Sequence, residues 1–435
     1  MKKATALALL LGTVAVGVEA AKPPAAPKPV AAAFHVSSCT SSTTCRQEDP
    51  AVAGVIGSGK ALVVDEKKKA GGGSDSGFFA LWAGSSESDP HGISARRFNK
   101  TAPLTGDALI SPVAGDQYDP GITVQKAGTF VAVWSEVTNG HFDVKARRFG
   151  STGAPLGNPI AVNVDDPAAP GVPDDLLPSV APTKDGGFAV AWVKVLSGVQ
   201  SSAASPQIVY RRFDAAGSPL GAQIALSQTL SNDRPALCVD SVGNVNVAWE
   251  SVDEFAAFEP SHYGVSLRRV SAAGVPLAAE LVVAPPTSNI PLHPSISCAS
   301  NNTFVVVWHT DRAPATLGTD IVGQKYDKNG VKSGAQFVIN TTTAADQRNP
   351  TIAHDATNAF VVVWETMTSV NGSKLGIYGR RYTAAGKAGA QFEVTSHDIT
   401  QKSLNAVVAP TSNAGNFVVV WQTGTKAIWA RRYTP

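Results

Sequence analysis

Seven residues stand just ahead of short apolar strands, Asp49, Asp119, Leu177, Arg234, His293, Asn349 and Asn405, and all but Leu177 carry side chains able to do chemistry. If those strands gather round one axis, the side chains converge on a concave mouth. There Asp49, Asp119, Arg234, His293 and Asn349 would hold a cation or a small polar ligand. Asp174, Asp175, Asp233 and Asp346 are close in sequence to the same place. Glycoside hydrolysis needs two carboxyl groups roughly 5 to 9.5 Å apart, and Asp49, Asp119 and Asp175 are the candidates for such a set. The plain alternative is turn chemistry, because Asp and Asn ahead of proline initiate turns.

A second set lies between Glu250 and Gly264: Asp253, Glu254, Phe255, Phe258, His262 and Tyr263. Aromatic rings among acids can stack on a sugar or grip a partner chain; alternatively, Phe255 and Phe258 pack their own segment down. Arginine pairs recur at Arg96-Arg97, Arg147-Arg148, Arg211-Arg212, Arg380-Arg381 and Arg431-Arg432. A pair repeated in step with the core motif reads as structural, its stems covering a sheet while the guanidinium reaches carboxylates or carbonyls.

Of the four cysteines, Cys39 and Cys45 could close a small loop. Cys238 and Cys298 fall eleven and ten residues before the tryptophans of consecutive repeats. Alternate strand residues face opposite ways, so this odd difference favours a bridge between neighbouring units over two small buried residues. No P-loop, H-E-x-x-H, G-x-S-x-G, dinucleotide or EF-hand pattern occurs. No catalytic residue, metal or cofactor is therefore assigned.

The elements that must position these groups are announced by tryptophan. Trp82, Trp134, Trp192, Trp249, Trp308, Trp364 and Trp421 recur at spacings of 52, 58, 57, 59, 56 and 57, each ending an apolar run such as FVAVW or FVVVW. A fixed period of this size marks a repeat architecture. Four strands fit each period: a strand at the proline, the tryptophan strand, a strand ending basic-basic-aromatic, and a fourth after a Gly turn. Runs that are apolar at successive positions require burial on both faces. The fold class is therefore all-β: a seven-bladed β-propeller of four-stranded antiparallel blades.

The last unit stops at Tyr433-Thr434-Pro435 without a fourth strand, and AAAFHVSS (31–38) resembles AQFEVTS (390–396). The N-terminal strand is thus expected to close the ring. From tryptophan to the second basic residue the distances are 15, 14, 20, 20, 17, 17 and 11, so one rim carries uniform turns and the other variable loops, where binding residues tend to sit. The first unit also holds a flexible basic insertion around Lys67–Ser74.

The pattern of an FVVVW run, a loop, a basic-basic-aromatic strand and a Gly turn resembles repeats of secreted bacterial propeller-type proteins. That resemblance spans residues 31–435 and implies an architecture but no single activity. Residues 1–20 have the layout of a secretory signal, with Lys2-Lys3, an apolar stretch and Val18-Glu19-Ala20, and 21–30 form a Pro/Ala tether. No other segment is long and apolar enough to span a membrane. Charged residues are 16% with net charge +2, which argues against nucleic acid as a partner. The expectation is an exported monomer that binds a protein or glycan through its variable rim. A carbohydrate-active hydrolase or lyase using mouth carboxylates, and a purely structural cell-surface module, are the alternatives.

Overall fold

The computed structural model describes residues 23–37, 47–55, 77–84, 91–99, 102–111, 115–125, 128–165, 172–196, 206–227, 232–253, 262–287, 290–311, 318–343, 345–367, 375–395, 403–411, 415–424 and 427–435. Cys39, Cys45, Glu254, Phe255, Phe258, the leader 1–20 and the insertion at Lys67–Ser74 lie outside them.

Seven antiparallel sheets form, and each tryptophan strand is second from the inside of its blade. The inner strands are Gln47–Val55, Gln117–Val124, Asp174–Pro182, Asn232–Val239, Leu292–Cys298, Asp346–His354 and Ser403–Pro410. They succeed one another round the axis, the seventh meeting the first. The architecture is the seven-bladed β-propeller that the repeat predicts. Most fourth strands are only two residues long, as at Ile160–Ala161 and Phe337–Val338.

The tryptophan strands show why the blades must stack. In blade 2, Val131 and Val133 pack with Phe188, Val190 and Trp192 of blade 3. The intervening Phe130, Ala132 and Trp134 pack with Phe79, Leu81 and Ala83 of blade 1. Burying each such side chain is worth roughly 1.5–3 kcal/mol, and only neighbours on both sides can supply it. The motif's two aromatic ends meet across strands as stacked pairs: Phe130–Phe149 at 4.7 Å, Phe188–Phe213 at 4.8 Å and Phe360–Tyr382 at 4.6 Å. Blade 4, which departs from the motif with Val270, departs at both members, since its register partner is Val245.

The ring closes through the N-terminus. Lys28–Pro29 pair with Thr434 and Tyr433, and Phe34–His35 pair with Ala430 and Trp429. Part of the Pro-rich segment thus lies against blade 7. Phe34 then packs within 6.4 Å of Phe78 and 5.6 Å of Phe98 in blade 1.

The first arginine of each pair staples blade to blade. Arg211 Nε donates to Gly221 O of its own blade at 3.2 Å, and Nη1 donates to Val162 O, in the fourth-strand segment of the blade before, at 3.0 Å. Arg96, Arg147, Arg268, Arg380 and Arg431 reach the preceding carbonyls of Val36, Ile110, Leu226, Ile339 and Val394. Blade 5 has Gln324 instead, and Lys332 Nζ takes the preceding carbonyl, Val283 O. Cys238 and Cys298 form the disulfide between the inner strands of blades 4 and 5, with Cα atoms 5.5 Å apart.

Arg211→Ala removes both bonds and leaves the Val162 carbonyl without its guanidinium partner. It should cost roughly 1–3 kcal/mol. Arg212→Ala, whose partner Asp185 is 47% exposed, should cost less than about 1 kcal/mol. Urea midpoints of the two variants check this; equal small effects would show the staple to be idle.

Candidate functional site

The seven mouth residues share one backbone state. Asp49, Asp119, Leu177, Arg234, His293, Asn349 and Asn405 have φ of 47°, 52°, 54°, 48°, 53°, 51° and 51°. They do not precede the inner strands, as the sequence suggests, but sit inside them at bulges. Pairing runs Gln117↔Glu136 and Tyr118↔Ser135, breaks, and resumes at Gly121↔Val133. One extra residue opposite the partner strand re-aims its neighbours. Left-handed backbone is tolerable for Asp and Asn but costly for Leu177, Arg234 and His293, so the surroundings must hold it.

At four of the seven bulges, what holds it is the side chain just after the tryptophan of the preceding blade. Leu177 N–H donates to Ser135 Oγ of the preceding blade at 3.2 Å, His293 N–H to Glu250 Oε1 at 2.6 Å, and Asn405 N–H to Glu365 Oε1 at 2.6 Å. Asp49 N–H donates to Gln422 Oε1 at 3.3 Å, across the closure from blade 7 to blade 1. Blade 3 offers only Val193 here, and Arg234 N–H turns to Asp233 Oδ1 at 2.8 Å instead. Sequence reasoning missed this position, although it is legible one residue past each tryptophan: Ala83, Ser135, Val193, Glu250, His309, Glu365 and Gln422.

Blades 4 to 6 thus concentrate ionisable groups where Ser or Gln serves elsewhere. His293 Nε2 lies 3.8 Å from Glu250 Oε1, Arg234 Nε lies 3.9 Å from the same oxygen, and the rings of His293 and His309 are 5.0 Å apart. Asn349 Nδ2 donates to Glu365 Oε2 at 3.0 Å, and Asn405 Nδ2 to Asp49 Oδ1 at 3.0 Å. The Arg234 and Arg348 side chains are 50% and 46% exposed.

Burial sets the electrostatics. It pushes Glu250 up to about 7, the Asp233 carboxylate adding to it. It pushes Glu365 up to about 7 against the pull of the Asn405 N–H, Asn349 and Arg348. Burial, then Arg234 and Arg348, hold His293 down to about 4. Burial, then His293 and the same arginines, hold His309 down to about 3. Both imidazoles are neutral at neutral pH, so the His293–Glu250 contact is not an ion pair there. His309 Nδ1 is buried without a hydrogen-bond partner among the described residues. Asp119 is raised by burial, while Ser135 Oγ, which donates to it at 3.2 Å, and the guanidinium of Arg234 pull it down. Such a mouth can exchange protons near neutral pH and offers both donors and acceptors.

The other sequence candidates part company. Asp175 is not a mouth acid: it is fully buried, accepts from Trp192 Nε1 at 2.5 Å and Asn163 Nδ2 at 3.1 Å, and lies 3.5 Å from Lys194. It pins the indole, as Asn232 and Gln347 pin Trp249 and Trp364. Asp253 and His262, read as loop, are paired strand residues, and Tyr263 follows in the same strand. The connection therefore shrinks to 254–261, outside the described residues. Second strands end and inner strands begin at the same rim, so the mouth and the variable loops share it. Among the described residues no cluster of three or more His, Cys, Asp or Glu is arranged to hold a metal, and no helix is long and apolar enough to cross a membrane.

Fold and mouth together define a β-propeller with a polar channel mouth. Neither a family model nor a curated protein matches the chain. Among solved structures it is similar to a protein of unknown function from Dyadobacter fermentans, at 12% identity over 73% of this chain and 94% of that one, with a TM-score of 0.51. It is similar also to the polysaccharide lyase Uly1, at 10% identity over 92% of this chain and 99% of that one, with a TM-score of 0.50. At these identities the likeness speaks for the fold alone.

Glu365 keeps its proton up to about pH 7 in the native state but only to about 4.5 when unfolded. The native state then holds the extra proton, and its stability falls as pH rises through that window. The buried histidines act oppositely, gaining stability as pH rises from about 4. Glu365→Gln isolates the acid: its stability relative to wild type should rise between pH 5 and pH 8. Urea denaturation at the two pH values checks this; a fall would overturn the burial assignment.

Proposed function

We propose that this protein is exported and binds a glycan at the channel mouth of blades 4 to 6, with the variable loops of the same rim around it. One observation carries the reading. Where the bulge N–H is held from the blade before, a neutral acceptor such as Ser135 or Gln422 suffices, yet three consecutive blades place Glu250, His309 and Glu365 at that position, beside exposed Arg234 and Arg348. The fold does not need that chemistry. The unpartnered His309 Nδ1 adds a buried polar atom of the kind a ligand satisfies. The polysaccharide lyase among the structural neighbours is in keeping with a glycan. Export rests on the leader's layout, the resemblance to secreted propeller repeats and the Cys238–Cys298 disulfide.

Hydrolysis is the second reading, favoured by the two carboxyls raised to about 7. Glu365, held by two N–H donors, is the base that takes a proton from water. Glu250, held by one, is the acid that gives its proton to the leaving glycosidic oxygen as the C–O bond breaks.

The test is a polysaccharide panel read for binding and for new reducing ends. Arg234→Ala/Arg348→Ala should weaken binding by about tenfold or more, roughly 1.4 kcal/mol. Glu250→Gln should hold binding within about threefold and cut product release by roughly 10²–10⁴-fold. Glycan bound equally well by the double-arginine variant would overturn the mouth. Binding without product in wild type would leave a binding module.

A further inference from the structure

The opposite rim holds a second place where side-chain chemistry is left over. There five of the second basic residues find an acceptor in one of two ways. Arg148 Nη1 donates to Ala216 O at 2.8 Å, Arg269 Nη2 to Lys328 O at 2.9 Å and Arg432 Nη2 to Asn99 O at 2.9 Å, each in the next blade's third-to-fourth turn. Arg212 and Arg381 turn instead to Asp185 at 2.7 Å and Asp355 at 3.0 Å in their own blades.

Blade 5 alone carries a lysine at this position, Lys325. Its shorter side chain stops against Gly386 of the next turn, where an added Cβ would collide with Nζ. The ammonium sits 5.4 Å from the Phe337 ring centroid. Among the described residues it has no hydrogen bond or ion pair. Within the described protein the half-buried ammonium therefore has only an aromatic face, worth about 0.5–2 kcal/mol.

Beside it a groove of about 350 Å³ opens between blades 5 and 6, lined by Lys325, Ser333, Phe337, Arg380, Tyr382 and Gly386 among others. Arg380 is committed to Gly389 O at 2.8 Å and Ile339 O at 2.9 Å. It adds positive charge, and among the described residues no carboxylate pairs with it. The Tyr382 hydroxyl is buried and finds no acceptor among them. Burial also holds the Lys325 ammonium below its ordinary range.

We propose that this groove is a binding site, distinct from the channel mouth, for a small organic carboxylate of about monosaccharide size, with Lys325 Nζ donating to the carboxylate and Phe337 and Tyr382 covering the carbon body. Donors outnumber acceptors at one end, which selects an anion. The rest of the wall is ring and methyl surface from Phe337, Val338, Ala335 and Ala388, which suits a monoanion with a carbon skeleton better than a compact dianion such as phosphate. The volume lies at the lower end of the range for small-molecule sites, roughly 300–1,000 Å³.

The test is site-resolved protection of the full exported chain. Lysines are acetylated with succinimidyl acetate, alone or with glucuronate, butyrate, glucose or inorganic phosphate at 10 mM, and quantified by peptide mass spectrometry. Glucuronate is expected to slow labelling of Lys325 at least fivefold while Lys184 is unchanged, and glucose is expected to do nothing. Glucuronate bound at the mouth cannot mimic this, because the signal belongs to Lys325. The protection is expected to persist in Arg234→Ala/Arg348→Ala, which weakens the mouth. By calorimetry in that double-arginine background, Lys325→Arg and Lys325→Met should each lose carboxylate binding at least tenfold, with the thermal midpoint of Lys325→Arg no lower than that of the background. No protection by either carboxylate, protection by phosphate alone, or undiminished binding by Lys325→Met would each overturn the site.

Discussion

Everything here depends on a strand that cannot be left uncovered on either side. The run Phe-Val-Val-Val-Trp puts its odd residues against one neighbour and its even residues against the other, so no blade is a stable object alone. A linear stack would leave two such faces bare at its ends. A ring leaves none, provided the last joint is made. That joint is the one place where the chain must return on itself: residues 28–35 pair with the final strand while Phe34 reaches the aromatic stack of blade 1. Hydrophobic coverage supplies the drive but little orientation. Orientation comes from directional groups repeated in step with it: the first arginine of each pair, reaching a carbonyl of the blade before, and the bulge N–H that the inner strands of blades 1, 3, 5 and 7 turn toward the blade before them.

The bulge separates what the fold requires from what it permits. Where the N–H is held from the blade before, its requirement is one acceptor at the residue after that blade's tryptophan. Serine, glutamine and glutamate all meet it, and where valine stands the N–H finds a neighbouring aspartate instead. An interaction so undemanding leaves the chemical identity of the acceptor free. Glu250 and Glu365 can therefore be buried acids with strongly raised proton affinity while still doing the work a glutamine would do. The burial that raises them also keeps His293 and His309 neutral, so the mouth carries far less charge than its residue list suggests.

Most of the fold is legible in the sequence because its causes are local and repeated. Tryptophan spacing reveals the number of units, unbroken apolar runs reveal burial on both faces, and the missing last strand reveals the closure. Even the exception at Val270 is readable once its register partner Val245 is known. The mouth is legible only in part. Asp49, Asp119, Arg234, His293 and Asn349 are found through the proline that follows each, but their left-handed backbone is not, since a residue ahead of proline ordinarily favours extended conformations. Glu250, His309 and Glu365 escape because each follows an apolar run that looks complete at tryptophan. Asp175 misleads for the opposite reason: next to the mouth in sequence, it is turned inward by the alternation of the strand.

The same logic locates the second leftover group. A residue that departs from a repeated structural role, yet stays in place, exposes how much of that role was needed. Gln324 departs from the first-arginine role, and Lys332 repairs it from the fourth-strand segment by donating to Val283 O. Lys325 departs from the second-arginine role, and nothing among the described residues repairs it. A repaired departure is neutral drift within the packing. An unrepaired one leaves an ammonium without an acceptor beside an open groove, a standing cost that a bound anion would offset. Both rims of the ring thus show one pattern: chemistry is found where a blade exceeds or abandons a structural demand that is met more plainly elsewhere in the ring.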